Sequence, residues 1–122
     1  MAKRILTVDD SVSVRMMVSF TLREAGYEVK EAANGMEAVG LLDDEAFDLL
    51  VVDLNMPQLD GLGLINRVRN SDGAHKFVPI IVLTTESQET KKNLARQAGA
   101  TGWMVKPFRP EQLVGVVKKV IG

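Results

Sequence analysis

The chain has 122 residues, enough for one domain and too few for two. Its composition, 46 % apolar and 25 % charged, is that of an ordinary soluble globular protein, and a net charge of −1 makes no general electrostatic case for nucleic acid. Cysteine is absent, which excludes disulfides, thiolate catalysis and cysteine–zinc sites. The lone His75 lies in a polar segment, 71–76, and is expected to be a solvated loop residue. No stretch approaches the ~20 apolar residues of a membrane span. The start sets only about four apolar positions before two acids, which is no signal peptide. No membrane insertion and a cytoplasmic location are expected.

In chain order, a strand over 4–8 runs into Asp9 and Asp10. Ser11 is a good N-cap for a helix over 11–25, which Gly26 ends. The core stripe of that helix is Val14, Met17, Val18, Thr21 and Leu22. At 100° per residue, Val12, Met16 and Phe20 fall about 160° from the stripe's centre, interleaved with Ser19 and Arg23. They are either scattered surface apolars, with Phe20 tucked against the last helix, or a contact stripe for a partner protein.

A second strand over 28–32 leads to a helix over 35–45, with Asn34-Gly35 as a turn or C-cap signal. The third strand, 48–53, ends on Asp53, and a helix over 61–70 follows. The fourth, 79–84, ends on Thr84; a helix over 88–98 closes at Gly99. The fifth, 102–105, delivers Lys106. Pro110 suits the first turn of a last helix over 110–121, whose buried stripe is Leu113, Val116, Val117, Val120 and Ile121, with Lys118 and Lys119 in the last turn.

Five strand–helix units imply an α/β fold, a doubly wound parallel sheet covered on both faces by right-handed crossovers. The order 2-1-3-4-5 places the switch point between strands 1 and 3, flanked by Asp9, Asp10 and Asp53. Ligands of such sheets bind beyond the carboxyl ends of the strands. Three carboxylates and an ammonium, far apart in sequence, therefore point into one place.

Clustered carboxylates repel and must share protons or find cations. A hard, largely hydrated ion with few protein ligands suggests Mg²⁺, held by Asp10 and Asp53, with Asp9 close behind and the Asn55 carbonyl as a further oxygen. Mg²⁺, Lys106 and the Thr84 hydroxyl make a cradle for a phosphoryl group, and a carboxylate can itself be the nucleophile. Taken alone, Asp9-Asp10 is weak, because acids at a helix N-terminus are favourable anyway. Four strands delivering compatible groups to one edge is a far more specific pattern.

The segments Val8-Asp9-Asp10-Ser11, Asp53-Leu54-Asn55-Met56-Pro57-Gln58-Leu59-Asp60-Gly61, Leu83-Thr84-Thr85-Glu86 and Val105-Lys106-Pro107-Phe108 resemble response-regulator receiver domains. Within that family the single-domain chemotaxis regulators are most similar, and Leu-Thr-Thr-Glu-Ser-Gln and Gly-Ala-Thr-Gly-Trp add to the likeness. The resemblance covers 1–122, leaving no room for an output domain. It implies a flavodoxin-like sandwich and a monomer. It implies that Asp53 accepts phosphoryl from a histidine kinase. Mg²⁺ would sit on Asp10, Asp53 and the Asn55 carbonyl, with Asp9 helping through water. Thr84 and Lys106 would hold the phosphoryl oxygens, and Lys106-Pro107 would be cis.

Trp103 falls at the aromatic switch position, where Tyr or Phe is more usual. Thr85 is bulkier than the residue often found there. With Asn55 and Glu86 it would rim the acceptor and set a phosphoryl lifetime of seconds to minutes. Lys91, Lys92 and Arg96, with Trp103, Lys118 and Lys119, read either as solvated helix surface or as a basic partner face. The implied partners are a chemotaxis-type histidine kinase, a flagellar motor switch protein and a phosphatase. The chain would not be an enzyme beyond Mg-dependent self-phosphorylation and autodephosphorylation. The alternatives are a phosphate sink or non-motility phosphorelay, and a haloacid-dehalogenase-type phosphatase. The last usually carries a second Asp where this chain has Asn55.

Overall fold

The computed structural model describes residues 2–54, 60–84 and 89–122. Five strands and five helices alternate: β1 (Arg4–Val8), α1 (Val12–Glu24), β2 (Glu28–Ala32), α2 (Gly35–Asp44), β3 (Leu49–Asp53), α3 (Gly61–Arg69), β4 (Ile80–Thr84), α4 (Glu89–Ala98), β5 (Gly102–Val105) and α5 (Pro110–Ile121). The sheet is parallel, in the order β2-β1-β3-β4-β5. Every expected element is present, with ends within a residue or so of the reading above.

The strands form because their side chains alternate between two apolar layers. Leu6, Val8, Leu50, Val52, Ile80 and Val82 pack with α2, α3 and α4 through residues such as Ala38, Leu64, Ile65, Val68 and Ala95. Ile5, Leu49, Val51, Ile81 and Leu83 pack with α1 and α5 through Val18, Leu22, Leu113 and Val117. β3 and β4 are buried along their whole length, while edge strand β2 exposes Glu28 and Lys30 and buries Val29 and Ala32. The register pairs Val8 with Val52, Asp53 with Leu83 and Thr84 with Val105. Four strands therefore end together at one edge.

Polar side chains set where helices begin. The Ser11 hydroxyl accepts from Val14 N–H at 3.3 Å, and Asp60 Oδ1 accepts from Gly63 N–H at 2.7 Å. Asn34 is also an N-cap: its Oδ1 accepts from Glu37 N–H at 2.9 Å, and Glu37 returns a bond from Ala33 N–H at 3.0 Å. Asn34-Gly35 is thus a helix start rather than a turn or C-cap. Gly26 and Gly99, with φ of +99° and +109°, end α1 and α4 as expected.

Two further expectations fail. His75 is half-buried rather than solvated: its Nε2 accepts from Phe47 N–H at 3.1 Å, which ties the α3–β4 connection to the start of β3. A polar neighbourhood in sequence said nothing of this contact across the fold. Ser19, placed on the outer line of α1, is buried at 1 % exposure. Its hydroxyl has no partner among the described residues. It sits at the margin of the core stripe, where a small side chain disappears easily.

Val12, Met16 and Phe20 are 59 %, 61 % and 67 % exposed, so Phe20 does not tuck against α5. Replacing Met16 by Lys together with Phe20 by Ser is therefore expected to leave the thermal midpoint nearly unchanged. Leu22→Ala, which empties a fully buried site, is expected to cost about 2–5 kcal/mol. Denaturant melts of the two variants check the phase of α1.

Candidate functional site at the carboxyl edge of the sheet

Asp9 is fixed from every side. Its N–H continues the β1–β2 ladder to the Ala32 carbonyl at 3.1 Å. Its Oδ1 accepts from Ser11 N–H at 2.9 Å, and its Oδ2 meets Lys106 Nζ at 3.1 Å. Asp53 closes β3, and its Oδ1 lies 3.4 Å from the same ammonium. Both acids are almost fully buried, whereas Asp10 is exposed. Oxygens of Asp9, Asp10 and Asp53 all lie within 4.8 Å of one another.

Lys106 comes in from the opposite side of β3. Its N–H donates to the Thr84 carbonyl at 2.6 Å, which extends the β4–β5 pairing past the last strand residue. The peptide bond to Pro107 is cis. Thr84 itself is buried at the end of β4.

Fully ionised, the cluster holds three carboxylates against one ammonium. Two charges 4.8 Å apart repel by about 3 kcal/mol at an effective dielectric constant of about 20. Lys106 offsets part of this repulsion but lies between Asp9 and Asp53 only. The remaining negative charge, carried entirely by oxygen donors, fits a hard divalent cation. Exposed Asp10 leaves an aqueous side, which suits an ion that keeps several waters.

The structure thus brings Asp9, Asp10, Asp53, Thr84 and Lys106 to one edge. Asn55, Thr85 and Glu86, and the side chains of Lys91 and Lys92, lie outside the described residues. On the expected partner face, Trp103 is half-buried in β5, with the Arg96 guanidinium 5.1 Å from its ring centre. Arg96, Lys118 and Lys119 are exposed. Far from the site, Arg69 gives Nε and Nη2 to the Gly99 carbonyl and Nη1 to Lys76 O, clamping the end of α4 to α3. Burial holds its guanidinium below the usual arginine range.

Two contributors escaped the sequence reading. Gly61 opens α3 directly against the end of β3: a Cβ there would stand 2.5 Å from the Asp53 carbonyl oxygen and 2.6 Å from Leu54 Cα. Its place after Asp60 was noted as part of a motif, but close backbone approach leaves no further mark in sequence. Arg15 donates to the Asp9 carbonyl at 2.8 Å and meets Glu31 Oε1 on β2 at 3.2 Å. A single arginine one turn into a helix gives no such signal.

Residues 5–118 match the response regulator receiver domain family. The chain is 41 % identical to chemotaxis protein CheY1 of Helicobacter pylori, over 98 % of this chain and 97 % of that protein. Among solved structures it superimposes on the chemotaxis response regulator CheY4 of Vibrio cholerae with a TM-score of 0.93 at 45 % identity, covering 98 % and 99 % of the two chains. It also matches the receiver domain of the Pseudomonas aeruginosa sensor kinase PA1611, which holds a magnesium ion in its active-site cleft, with a TM-score of 0.90 at 29 % identity, covering 100 % and 99 %. The chain belongs to the response regulator receiver family, and chemotaxis regulators of the CheY type are among its relatives.

Gly61→Ala is expected to push α3 away from the end of β3, because backbone atoms on the far side cannot yield as a flexible side chain would. A loss of about 1–3 kcal/mol, typical of overpacking, is expected in chemical denaturation.

Proposed function

We propose that the chain is a chemotaxis-type response regulator, one receiver domain over 1–122, switched by phosphorylation of Asp53. The observation that carries this reading is the ammonium of Lys106 held between two buried carboxylates, 3.1 Å from Asp9 and 3.4 Å from Asp53. A histidine kinase of the chemotaxis type donates the phosphoryl group. An Asp53 carboxylate oxygen attacks phosphorus; the P–O bond of an acyl phosphate forms as the P–N bond of phosphohistidine breaks, and the electron pair leaves with the imidazole.

Asp10, Asp53 and the Asn55 carbonyl would hold Mg²⁺, with Asp9 helping through water, and the ion when bound would neutralise charge on the phosphoryl oxygens. The magnesium-bearing relative and the spacing of these acids support that assignment. Lys106 pairs with the phosphoryl group in place of part of its contact with Asp53, and the Thr84 hydroxyl donates to a second oxygen. Asn55, Thr85 and Glu86 govern the entry of hydrolytic water. The chain performs no other catalysis.

The output is binding to a flagellar motor switch protein through α4, β5 and α5, with Trp103 as the moving aromatic and Lys91, Lys92, Arg96, Lys118 and Lys119 as the basic face. End-to-end likeness to chemotaxis proteins supports this over a non-motility relay. A cytoplasmic, monomeric protein goes with it. The exposed line of Val12, Met16 and Phe20 begins beside Asp10 and Ser11, which suits a contact for the kinase or a phosphatase.

Asp53→Asn is expected to abolish labelling from acetyl phosphate or phosphorylated kinase without lowering the thermal midpoint; full labelling at the same site would refute the assignment. EDTA is expected to stop labelling of the natural chain. Asp10→Ala is expected to weaken Mg²⁺ binding, and Lys106→Arg to leave metal binding in place while blunting the response, because a planar fork does not replace a compact ammonium.

Trp103 is the only tryptophan, so its emission reports the switch directly. Beryllofluoride with Mg²⁺ is expected to change the intensity or quenching of Trp103. Unchanged fluorescence beside stoichiometric beryllofluoride binding would show that the ring does not move.

A further inference from the structure

The backbone of Asp9 and Asp10 is held by a strap that lies outside the acidic cluster. From the first turns of α1, Arg15 donates Nη1 to the Asp9 carbonyl at 2.8 Å. That carbonyl belongs to the peptide joining Asp9 to Asp10, so the bond fixes the plane of this peptide. The same guanidinium is anchored by Nε to Glu31 Oε1 at 3.2 Å. Glu31 stands on β2, one residue before Ala32, whose carbonyl takes the Asp9 N–H at 3.1 Å. Arg23 Nη2, which donates to the Val29 carbonyl at 2.9 Å, lies 3.9 Å from the other Glu31 oxygen. Arg15 and Glu31 side chains are 16 % and 30 % exposed, a pair partly withdrawn from water and tied at both ends.

The two acids differ in what else holds them. The Asp9 side chain has Ser11 N–H and Lys106. Asp10 is exposed, and among the described residues its carboxylate makes no hydrogen bond. The direction in which Asp10 projects is therefore set by its backbone, and its backbone is set by the Asp9–Asp10 peptide. We propose that Arg15, anchored by Glu31, is a positioning residue for the acidic site: it orients the Asp9–Asp10 peptide so that the Asp10 carboxylate meets the oxygens of Asp9 and Asp53. This rests on the reading of that cluster as a Mg²⁺ site.

Charge and geometry predict opposite signs here. Arg15 is a cation near a cation site, so a purely electrostatic role makes Arg15→Ala bind Mg²⁺ more tightly. A positioning role makes it bind more weakly, by roughly tenfold or more, the usual effect of removing a group that orients a ligand. Mg²⁺ titrations by calorimetry, with thermal melts alongside, separate the two on the natural chain, Arg15→Ala, Arg15→Lys and Glu31→Gln.

The expected result is weak Mg²⁺ binding by Arg15→Ala, an intermediate affinity for Glu31→Gln, whose amide anchors the guanidinium less firmly, and partial rescue by Arg15→Lys, which keeps an N–H donor group and the charge but not the planar fork. Unchanged or tighter binding by folded Arg15→Ala overturns the proposal, as does a fall in melting temperature with affinity intact. If the natural chain itself binds no Mg²⁺, the reading of the site fails instead, and the two failures are told apart in the same titration.

Discussion

The ammonium of Lys106 between the buried carboxylates of Asp9 and Asp53 is the interaction on which the rest of this structure depends. Charges removed from water are tolerated only when partnered, and breaking such a group leaves an uncompensated ion in a low-dielectric place. The partners come from the ends of β1, β3 and β5, near the start, the middle and the last fifth of the chain. To bring them within hydrogen-bonding reach, the sheet must hold its register across four strands. The register is held by two apolar layers that cover both faces of β3 and β4. A slip of one residue in any strand would exchange those layers and scatter the charges. Core and site are thus one specification: the apolar alternation that folds the sheet also aims its carboxyl edge.

How much of this is legible in sequence follows from the same alternation. Strands covered on both faces are written as continuous apolar runs, so β3 and β4 are plain in Leu49-Leu50-Val51-Val52 and Ile80-Ile81-Val82-Leu83. The residue after each run then falls at the site by geometry alone, and Asp9, Asp53 and Lys106 stand out as charges where apolar residues would otherwise continue. What stayed hidden is of another kind. Gly61 matters because backbone passes backbone, and Ser19 because a small hydroxyl fits at the edge of a core stripe. His75 and Arg15 matter through bonds to backbone outside their own elements. Periodicity records which face a side chain takes, not which carbonyl it reaches.

The cluster is left short of positive charge, and that shortfall is what makes it responsive. A site already neutral gains little from an added ion. One with three carboxylates around a single ammonium is stabilised by whatever cation arrives, and occupancy then adds to folding stability by mass action, about 2.7 kcal/mol at a hundredfold excess over Kd. A ligand changes conformation only through differential interaction with the two states. In the proposed mechanism that difference would be supplied by Lys106, whose single ammonium cannot serve Asp9, Asp53 and a phosphoryl group equally.

Lys106 also follows an edge strand of the sheet. β5 has four residues, pairs only with β4, and carries one buried residue, Met104, against five in β4. Short, half-covered edge strands sit at the low end of local stability. The Lys106 N–H to the Thr84 carbonyl is the last rung holding that edge, and Trp103 lies three residues back on the same strand, stacked under Arg96 of α4. A shift of the ammonium would therefore be felt by a rung, a strand and a helix contact together. On the other flank, β1 is paired on both sides and Asp9 is held at its N–H, carbonyl and both carboxylate oxygens. Asp9 is thus held at more points than the β5 edge, and under the proposed phosphorylation of Asp53 the added charge would act first on that edge, toward α4 and α5.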